Sequence, residues 1–354
     1  MIPSQGKRIV LIGGSGFIGH HLALSLRALG AQVEIVDSLQ VNNLLAYMSS
    51  DVQVPNRELY VQMLQERQEL LRKAGIAQHV IDARDYHQLS LTLGKINPQV
   101  VIHLAAISHA GKSNKDPYST FDHSLRTLEN ALDAVRSRVE HFIFFSSSMV
   151  YGNFPNGVAT EETPCDPIGI YGALKFAGEK MVIAYHQVFG FPYTIVRPSA
   201  LYGERCVSRR VGQVFVENAI AGREITVNGK GEDSLDFTYI EDLVSGIEKV
   251  IENEASRNQI LNLTHGKAAA LNELLAVLSQ HFPNLKMDFL PKEALMPDRG
   301  TLSVEKAKRL IGYEPRFPVS VGYDRYIRWY KERTCLVQEW SAGTQVTEHV
   351  YKAA

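Results

Sequence analysis

A tyrosine and a lysine four residues apart, Tyr171 and Lys175, have the spacing that most directly predicts chemistry in this chain. On a helix, positions i and i+4 lie on one face, with Cβ atoms about 5–6 Å apart. A positive charge about 4 Å from a phenolate, at an effective dielectric of about 20, stabilises it by about 4 kcal/mol. Because one pKa unit corresponds to about 1.36 kcal/mol, Lys175 alone is expected to lower the pKa of Tyr171 from about 10 towards about 7, where a phenol is a useful general base. Burial of the phenol opposes this effect.

A run of three serines, residues 146–148, follows the apolar segment 142–145. The segment is typical of a buried strand, and its end is where a parallel sheet presents side chains to a ligand. Ser147 is therefore expected to orient a substrate hydroxyl and share its proton. A Tyr-x-x-x-Lys pattern alone also occurs on ordinary surface helices, so the prediction depends on the elements around it.

The first of those elements is a glycine-rich turn near the start of the chain. The apolar run 9–12 ends in glycines, and apolar residues then recur at helical spacing as far as Gly30. This pattern predicts a buried parallel strand, a tight turn and a helix. One glycine permits the turn, one lets a pyrophosphate approach the backbone, and one lets helix and strand pack closely. The helix N-terminus offers N–H groups and positive dipole charge to phosphates. The residues predicted to face the phosphates are Gly13, Gly16, Phe17, Ile18 and Gly19.

A second predicted strand, residues 32–36, ends at Asp37. A carboxylate at that place accepts hydrogen bonds from a ribose 2′-hydroxyl and repels a 2′-phosphate. Asp37 therefore predicts NAD rather than NADP as the cofactor.

Strands alternate with helices over the first two hundred residues, with further strands predicted at 79–81, 100–104 and 193–196. This alternation predicts the α/β class, with a doubly wound parallel (Rossmann) sheet that binds ligands at the carboxyl ends of its strands. We assign residues 1–200 to an NAD-binding domain that also carries Ser147, Tyr171 and Lys175. Residues 201–330 are expected to form a smaller, mostly helical substrate lobe, with 331–354 as a C-terminal tail.

Between the second and third strands, residues 38–56 are interpreted as a polar loop and residues 57–75 as a charged amphipathic helix ending in a glycine. A helix that covers the sheet is the favoured interpretation of 57–75, and a dedicated binding arm is the alternative.

Composition excludes several classes of protein. The chain has 354 residues, a formal net charge of −1 and 45% hydrophobic residues, with Lys and Arg scattered, so we expect no nucleic-acid partner. No apolar run approaches the ~18 residues of a membrane helix, and the N-terminus leaves no room for a signal peptide. The three cysteines, Cys165, Cys206 and Cys335, are far apart and fit a reducing, cytoplasmic location. The histidines have no metal-ligand spacing, so no metal is expected.

Together these motifs resemble the extended short-chain dehydrogenase/reductases, which include the NAD-dependent nucleotide-sugar epimerases and dehydratases. The resemblance covers roughly residues 7–330. The motifs that carry it are residues 13–19, Asp37, Asp82 with 83–85, residues 103–106, residues 146–152, Tyr171 with Lys175, Arg197 with Pro198, and residues 229–240.

The resemblance implies that Tyr171 is the catalytic base, that Lys175 binds the nicotinamide ribose and tunes Tyr171, and that Ser147 is the catalytic hydroxyl. Asp82 would contact the adenine end of NAD, and Arg299 would bind a phosphate of a nucleoside-diphosphate sugar. The family is commonly dimeric, pairing two long helices per subunit, here 116–138 and 170–189. Beyond the glycine turn and Asp37, the cofactor residues implied are Asp82, Ala83, Leu104, Ala105, Ala106, Tyr171, Lys175 and Pro198, and the substrate residues are Ser147, Ser148 and Arg299.

Departures from the family pattern favour one reaction. Sugar 4,6-dehydratases carry an Asp-Glu pair where this chain has Ser148 and Met149. Neither a hydroxyl nor a thioether can exchange the protons that elimination requires, so epimerisation, most often at C4, is the reaction expected. The usual diphosphate-binding Asn and Arg are replaced by Ala200 and Leu235, and His123 stands where a cofactor-side Asn is common. Whether Arg205, Arg209 or Arg210 replaces them is left open.

Two alternatives stay open at this stage. One is a dehydratase, reductase or 3,5-epimerase of the same family that uses Cys165 or another group as an extra acid or base. The other is an NAD-binding sensor without catalysis, which would need only the nucleotide site. The sequence does not specify the nucleotide base, the sugar or the carbon that is inverted.

Overall fold

The computed structural model of the chain describes residues 4–48, 54–107, 110–291 and 297–336. Seven parallel strands form the main sheet in the order β12-β7-β5-β4-β1-β2-β3. Over the described ranges the strands are β1 Arg8–Ile12, β2 Gln32–Asp37, β3 Ala77–Val80, β4 Val100–His103, β5 His141–Phe145, β6 Val158–Ala159, β7 Tyr193–Arg197, β8 Leu201–Tyr202, β9 Ile225–Asn228, β10 Ser234–Leu235, β11 Thr238–Tyr239, β12 Gln259–Asn262, β13 Ala269–Ala270, β14 Met287–Leu290 and β15 Thr301–Leu302.

The helices lie on both faces of this sheet and in the C-terminal part of the chain. They are α1 Phe17–Ala28, α2 Leu44–Met48, α3 Arg57–Lys73, α4 Tyr86–Ile96, α5 Ala110–Lys115, α6 Pro117–Phe121, α7 Thr127–Val135, α8 Gly169–Phe189, α9 Val211–Ile220, α10 Ile240–Glu252, α11 Leu271–His281, α12 Glu305–Ile311 and α13 Val319–Leu336. In the described ranges, none of them is long and apolar enough to cross a membrane.

The side chains of β1 point alternately to the two faces of the sheet, and each face is covered by a layer of helices. Successive side chains of a strand point to opposite faces. Ile9 and Leu11 therefore enter one core with α1, α3 and α10, whereas Val10 and Ile12 enter a second core with α4, α7 and α8. The doubly wound parallel sheet expected from the sequence is confirmed. The chain reverses direction of winding between β1 and β4, so a crevice opens beyond their carboxyl ends.

One strand lies in a different place from the one expected. The sequence analysis assigned residues 260–263 to the substrate lobe, but β12 pairs with β7 and forms the edge of the main sheet. The apolar face of α10, which includes Leu243 and Ile247, is buried in the same core as α1. In a strand–helix–strand connection the helix packs on one face of the sheet, and α10 does so before β12. Helix α10 and strand β12 therefore belong to the main sheet and its helical layer.

Two interpretations of irregular segments also need correction. The region 38–56, expected as a polar loop, contains helix α2, and residues 49–53 lie outside the described residues. The tail expected from residue 331 begins inside helix α13, which continues to Leu336, whereas 337–354 lie outside the described residues. The sequence reading missed α13 because its buried face consists largely of tyrosines. Tyr323, Tyr326 and Tyr330 recur at helical spacing and are each at most 1% exposed.

The long helix expected over 116–138 is divided. Asp116 caps α6 by accepting a hydrogen bond from the Ser119 backbone N–H at 3.0 Å. A π-helical segment, Asp122–Arg126, then joins α6 to α7. Such segments widen a helix locally and frequently mark functional sites. Here the segment places His123 against the crevice at the sheet.

Packing of α8 on the sheet gives a stability prediction with an internal control. A Cβ added at Gly178 would lie 2.7 Å from Cζ of Phe144 and 3.1 Å from Cδ2 of Leu128, so we expect Gly178→Ala to destabilise the fold by about 1–3 kcal/mol. The same change at Gly94 on α4 meets only an Arg138 nitrogen at 3.6 Å and should stabilise by about 0.4–1 kcal/mol. Urea denaturation midpoints of the two variants should shift in opposite directions, and shifts of the same sign would contradict this packing.

Candidate active site

A cleft runs along the carboxyl ends of the strands, across the point where the winding reverses. Most residues predicted to bind the cofactor line this one cleft. They are Gly13, Gly16, Phe17, Ile18, Gly19, Asp37, Asp82, Ala83, Leu104, Ala105 and Ala106.

The glycine turn is shaped by close backbone contacts. Gly13 has a φ of +82°, and a Cβ at this position would lie 2.7 Å from the backbone nitrogen of Ala105. At Gly19, a Cβ would lie 2.4 Å from the carbonyl oxygen of Gly14, so α1 can pack on the turn only without a side chain there. No side chain caps the N-terminus of α1, which leaves its first N–H groups directed to the cleft.

The Asp37 carboxylate is fixed by two backbone donors. It accepts hydrogen bonds from the Ser15 N–H at 3.0 Å and the Leu39 N–H at 2.7 Å. Burial raises the pKa of Asp37, while these two hydrogen bonds act in the opposite direction. Carboxylate oxygens accept more than one hydrogen bond each, so the group can still accept from a ribose diol.

Asp82 is held by its neighbour Arg84 in an ion pair of 2.6 Å. Hydrogen bonds from the Arg84 guanidinium are the main reason that the pKa of Asp82 lies below its usual value. Nearby, the Asn130 side-chain amide donates to the carbonyl oxygens of Ala83 and Arg84, each at 3.0 Å. These contacts fix the far wall of the cleft.

Tyr171 lies near Ser147 at the end of β5, close enough for the Ser147 hydroxyl to favour the charged form of the phenol and so lower its pKa. Ser147 also accepts a hydrogen bond from the Met149 N–H at 3.2 Å and so caps a short 3₁₀ helix, Ser148–Tyr151. Burial raises the pKa of Tyr171 above 10.0, and the positive charges that oppose this are those of Arg210 and Arg299.

Lys175 is placed differently from the simple electrostatic expectation. Its ammonium group donates to the carbonyl oxygen of Phe145 at 2.7 Å, and burial lowers the pKa of Lys175 to about 8. Although Lys175 follows Tyr171 by one helical turn, the fields that favour the Tyr171 phenolate come from Arg210 and Arg299. The predicted shift towards pKa 7 by Lys175 alone is therefore wrong, because the buried ammonium donates to the carbonyl oxygen at the end of β5 and desolvation of the phenol dominates.

Arg299 lies beside the two residues that replace the dehydratase acids. One guanidinium nitrogen donates to the Ser148 hydroxyl, and the other lies 2.7 Å from Sδ of Met149. The guanidinium stacks 5.0 Å above the centre of the Phe154 ring. Burial lowers the pKa of Arg299 to about 10, and its Nε has no hydrogen-bond partner within the described part of the chain. A buried cation with a spare donor suits an anionic or strongly polar substrate group.

Pro198, Tyr171 and Lys175 are not among the residues that line the cleft described above. The Pro198 carbonyl oxygen accepts a hydrogen bond from the Ser148 N–H at 2.9 Å, next to Ser147. Cys165 packs beside Val150, Tyr151 and Phe154, and burial raises the pKa of its thiol. A thiol with a raised pKa is a poor proton acceptor at neutral pH.

Ala200 and Leu235, which stand where the resembled family has its diphosphate-binding Asn and Arg, lie in different local structures. Ala200 has a φ of +36°, a left-handed conformation that asparagine tolerates better than alanine. Leu235 pairs with Ala269 in a short antiparallel ribbon. Of the arginines left open as replacements, Arg210 lines the cleft, Arg205 pairs with Glu66 at 3.3 Å, and Arg209 lies 3.8 Å from Glu217.

Arg67 is a charged residue of the cleft that is not predicted from the sequence. It lies on α3, is 0% exposed, and lines the same cleft as the glycine turn. Its position in the sequence does carry a signal. The buried stripe of α3 includes Tyr60, Met63, Leu64 and Leu71, and Arg67 occupies a place in that stripe where an apolar residue is expected.

Within the described ranges, no three His, Cys, Asp or Glu side chains come together as metal ligands. A dinucleotide, in contrast, fits the groups present. The turn at Gly13 leaves room that any Cβ would fill, α1 directs its N-terminus to the cleft, and Asp37 stands at the end of the second strand.

A sequence profile described as the NAD dependent epimerase/dehydratase family matches residues 9–264. The putative UDP-glucose 4-epimerase of Methanocaldococcus jannaschii is 27% identical over 334 residues, which are 91% of this chain and 98% of that protein.

Solved structures share the fold. The crystal structure of UDP-glucuronic acid 4-epimerase from Bacillus cereus, in complex with UDP-glucuronic acid and NAD, matches with a TM-score of 0.80 and 23% identity, over 92% of this chain and 99% of that one. The UDP-glucose 4-epimerase of Thermotoga maritima, with UDP-glucose, gives the same TM-score of 0.80, identity of 23% and coverage of 92% and 99%.

The lowered pKa of Lys175 predicts a stability change with pH. Between about pH 8, its pKa in the folded chain, and its ordinary 10.5, the unfolded chain binds a proton at Lys175 that the folded chain does not. The free energy of unfolding should therefore rise with pH across this interval. Relative to Lys175→Met, wild type should gain about 1–3 kcal/mol between pH 7.5 and 10 in urea denaturation. The control is Lys180→Met, an exposed lysine on the same helix, whose pH profile should parallel wild type. A Lys175→Met profile that also parallels wild type would contradict the assignment.

Proposed function

The chain belongs to the NAD dependent epimerase/dehydratase family, and we propose that within this family it is a nucleotide-sugar 4-epimerase with tightly bound NAD. The observation that carries the proposal is the catalytic corner. Tyr171 lies beside Ser147 there, and the guanidinium of Arg299 donates to the Ser148 hydroxyl and lies against the Met149 thioether.

Bound NAD supplies a hydride acceptor that returns the hydride to the same carbon, on the other face of the transient 4-keto sugar. In this proposal Tyr171 removes the proton of the C4 hydroxyl and later gives it back, which is general acid–base catalysis by a positioned phenol. Ser147 orients the same hydroxyl and shares its proton. Burial raises the pKa of Tyr171, and the positive charge that a bound nicotinamide would place near the phenol would act against that shift.

A side chain able to exchange protons at C5 and C6 is the requirement that separates a dehydratase from an epimerase. The Ser148 hydroxyl accepts a hydrogen bond from Arg299, and the Met149 thioether has no proton to exchange. This supports epimerisation over elimination.

For the substrate, we propose a nucleoside-diphosphate sugar. The support is the membership of the family and the UDP-sugars named for the Bacillus cereus and Thermotoga maritima proteins. Ser147, Ser148 and Arg299 are assigned to contacts with this substrate. We assign residues 1–200, together with α10 and β12, to the part that binds NAD, and the remaining C-terminal elements to the part that binds the sugar nucleotide.

We also propose a homodimer that pairs α6 and α8 with their copies in a second subunit. Apolar side chains are exposed on both helices, namely Tyr118 (81%) and Phe121 (45%) on α6 and Val188 (73%) and Phe189 (43%) on α8. Exposed apolar side chains on these helices support a protein–protein contact along them.

The dimer is tested by Val188→Asp, which buries a charge at the proposed contact and should weaken the dimer at least about 10-fold. The matched control is Leu91→Asp, an apolar residue 52% exposed on α4. Sedimentation equilibrium should give a dimer for wild type and Leu91→Asp and a monomer for Val188→Asp. A wild-type monomer, or three identical masses, would exclude this interface.

The reaction is tested by incubating the purified protein with UDP-, GDP-, CDP- and dTDP-sugars and identifying products by NMR. Epimerisation keeps the mass of the substrate and needs no added cofactor, whereas dehydration loses water and reduction consumes external NADH. Tyr171→Phe should lower turnover by at least about 10²–10⁴-fold while NAD stays bound. The control, Tyr185→Phe, changes a phenol on the same helix that hydrogen-bonds Glu129 and should keep full activity. Full turnover by Tyr171→Phe would contradict the mechanism.

A further inference from the structure

Helix α3 carries a buried arginine into the dinucleotide cleft. Arg67 is 0% exposed, although arginine is almost never fully buried unless it is paired. The rest of the buried face of α3 is mostly apolar and packs on the core that contains Ile9 and Leu11. Covering the sheet therefore explains the apolar stripe of α3, but it does not explain a guanidinium in that stripe.

The described residues provide hydrogen-bond acceptors for only two of the three nitrogens of the Arg67 guanidinium. Its Nε donates to the carbonyl oxygen of Arg205 at 3.1 Å, and Nη2 donates to the same oxygen. Nη1 is buried and has no hydrogen-bond partner in the described part of the chain. A buried donor that lacks an acceptor is costly, so an acceptor supplied by a ligand would be stabilising there.

A chain of contacts connects this guanidinium to the glycine turn. The carbonyl oxygen of Arg205 accepts the hydrogen bonds from Arg67. The side chain of Arg205 in turn donates from Nε to Nε2 of His20 at 3.1 Å. Because Nε2 of His20 accepts, its Nδ1 is the donor to the Gly16 carbonyl oxygen, at 2.9 Å. Arg67 thus lies on the same side of the cleft as the N-terminus of α1, and it lines the cleft together with Gly13 and Gly16.

The charge on this wall is largely positive. Arg205 contacts His20 in the first turns of α1, and Arg67 lines the same cleft as the N-terminal end of the α1 dipole. Glu66 is paired with Arg205 and Arg333, and the Asp37 carboxylate is held by the backbone N–H groups of Ser15 and Leu39. The wall therefore suits a dianionic group, and guanidinium N–H groups bind phosphate oxygens strongly.

We propose that Nη1 of Arg67 donates a hydrogen bond to a non-bridging oxygen of the cofactor diphosphate, and that α3 is a cofactor-binding arm as well as a cover for the sheet. The inference rests on NAD occupying the cleft, as in the proposed function, and is independent of the reaction catalysed. A 2′-phosphate is a less suitable partner, because Asp37 at the adenosine ribose position repels it.

The test is a binding measurement on the full-length protein stripped of nucleotide. Isothermal titration with NAD, ADP, adenosine and NADP compares wild type with Arg67→Gln and Arg67→Lys. The matched control is Arg57→Gln, because Arg57 on the same helix also donates to backbone carbonyls, of Tyr47 at 2.8 Å and Met48 at 3.2 Å, but does not line the cleft.

Loss of a hydrogen bond to a charged acceptor should raise the Kd of Arg67→Gln for NAD and ADP by about 10- to 100-fold. Its affinity for adenosine, which has no phosphate, should stay at the wild-type value, which also shows that the variant is folded. Arg67→Lys should recover part of the loss, and Arg57→Gln should bind all four ligands as wild type does.

Three results would overturn the inference. The first is an equal Kd for NAD in wild type and Arg67→Gln, and the second is an equal loss of affinity for adenosine and NAD in Arg67→Gln. The third is a wild type that binds NADP more tightly than NAD, with this preference absent in Arg67→Gln. Failure of wild type to bind NAD at all would instead count against the proposed function.

Discussion

A buried ion pair between Glu179 and Arg197 holds α8, the helix that carries Tyr171 and Lys175, against the sheet. The two side chains are 2.6 Å apart and only 1% and 3% exposed. The carboxylate also accepts a hydrogen bond from the Ser146 hydroxyl, and the guanidinium stacks 4.7 Å from the centre of the Tyr151 ring. The pair therefore joins α8 to the ends of β5 and β7. Removing one partner of such a pair leaves an uncompensated buried charge, which typically costs about 3–5 kcal/mol.

The position of Glu179 on α8 explains why this pair matters for chemistry. Tyr171, Lys175 and Glu179 are spaced four residues apart and share one face of the helix. Glu179 binds Arg197 and so holds this face of α8 against the sheet. Lys175 donates a hydrogen bond to the Phe145 carbonyl oxygen, and Tyr171 lies beside Ser147. Gly172 permits this approach, since a Cβ there would lie 2.7 Å from the Met149 carbonyl oxygen. Burial then raises the pKa of Tyr171, and the charges of Arg210 and Arg299 act against that shift.

Much of this arrangement could be predicted from local patterns. The glycine turn, Asp37 and the Tyr171–Lys175 spacing depend on neighbours in sequence, and periodicity identifies the strands of the sheet. The errors concern contacts between distant segments. The sheet recruits β12 from beyond residue 250, α13 is buried through tyrosines, and two arginines far from Tyr171 in sequence supply the charges that act on it. Arg67 is a further case in which the sequence shows only part of the arrangement. Its position in the apolar stripe of α3 is visible in the sequence, but the group that accepts its hydrogen bonds is not.

The central claim of this account is that Tyr171 moves only the hydroxyl proton, while the hydrogen on the inverted carbon never exchanges with water. The most direct test is turnover of an accepted sugar nucleotide in D₂O, with the product examined by NMR and mass spectrometry. The account predicts an epimer that carries no deuterium on the inverted carbon after complete turnover. Deuterium at that carbon would contradict it, because it would show that the carbon is deprotonated to solvent.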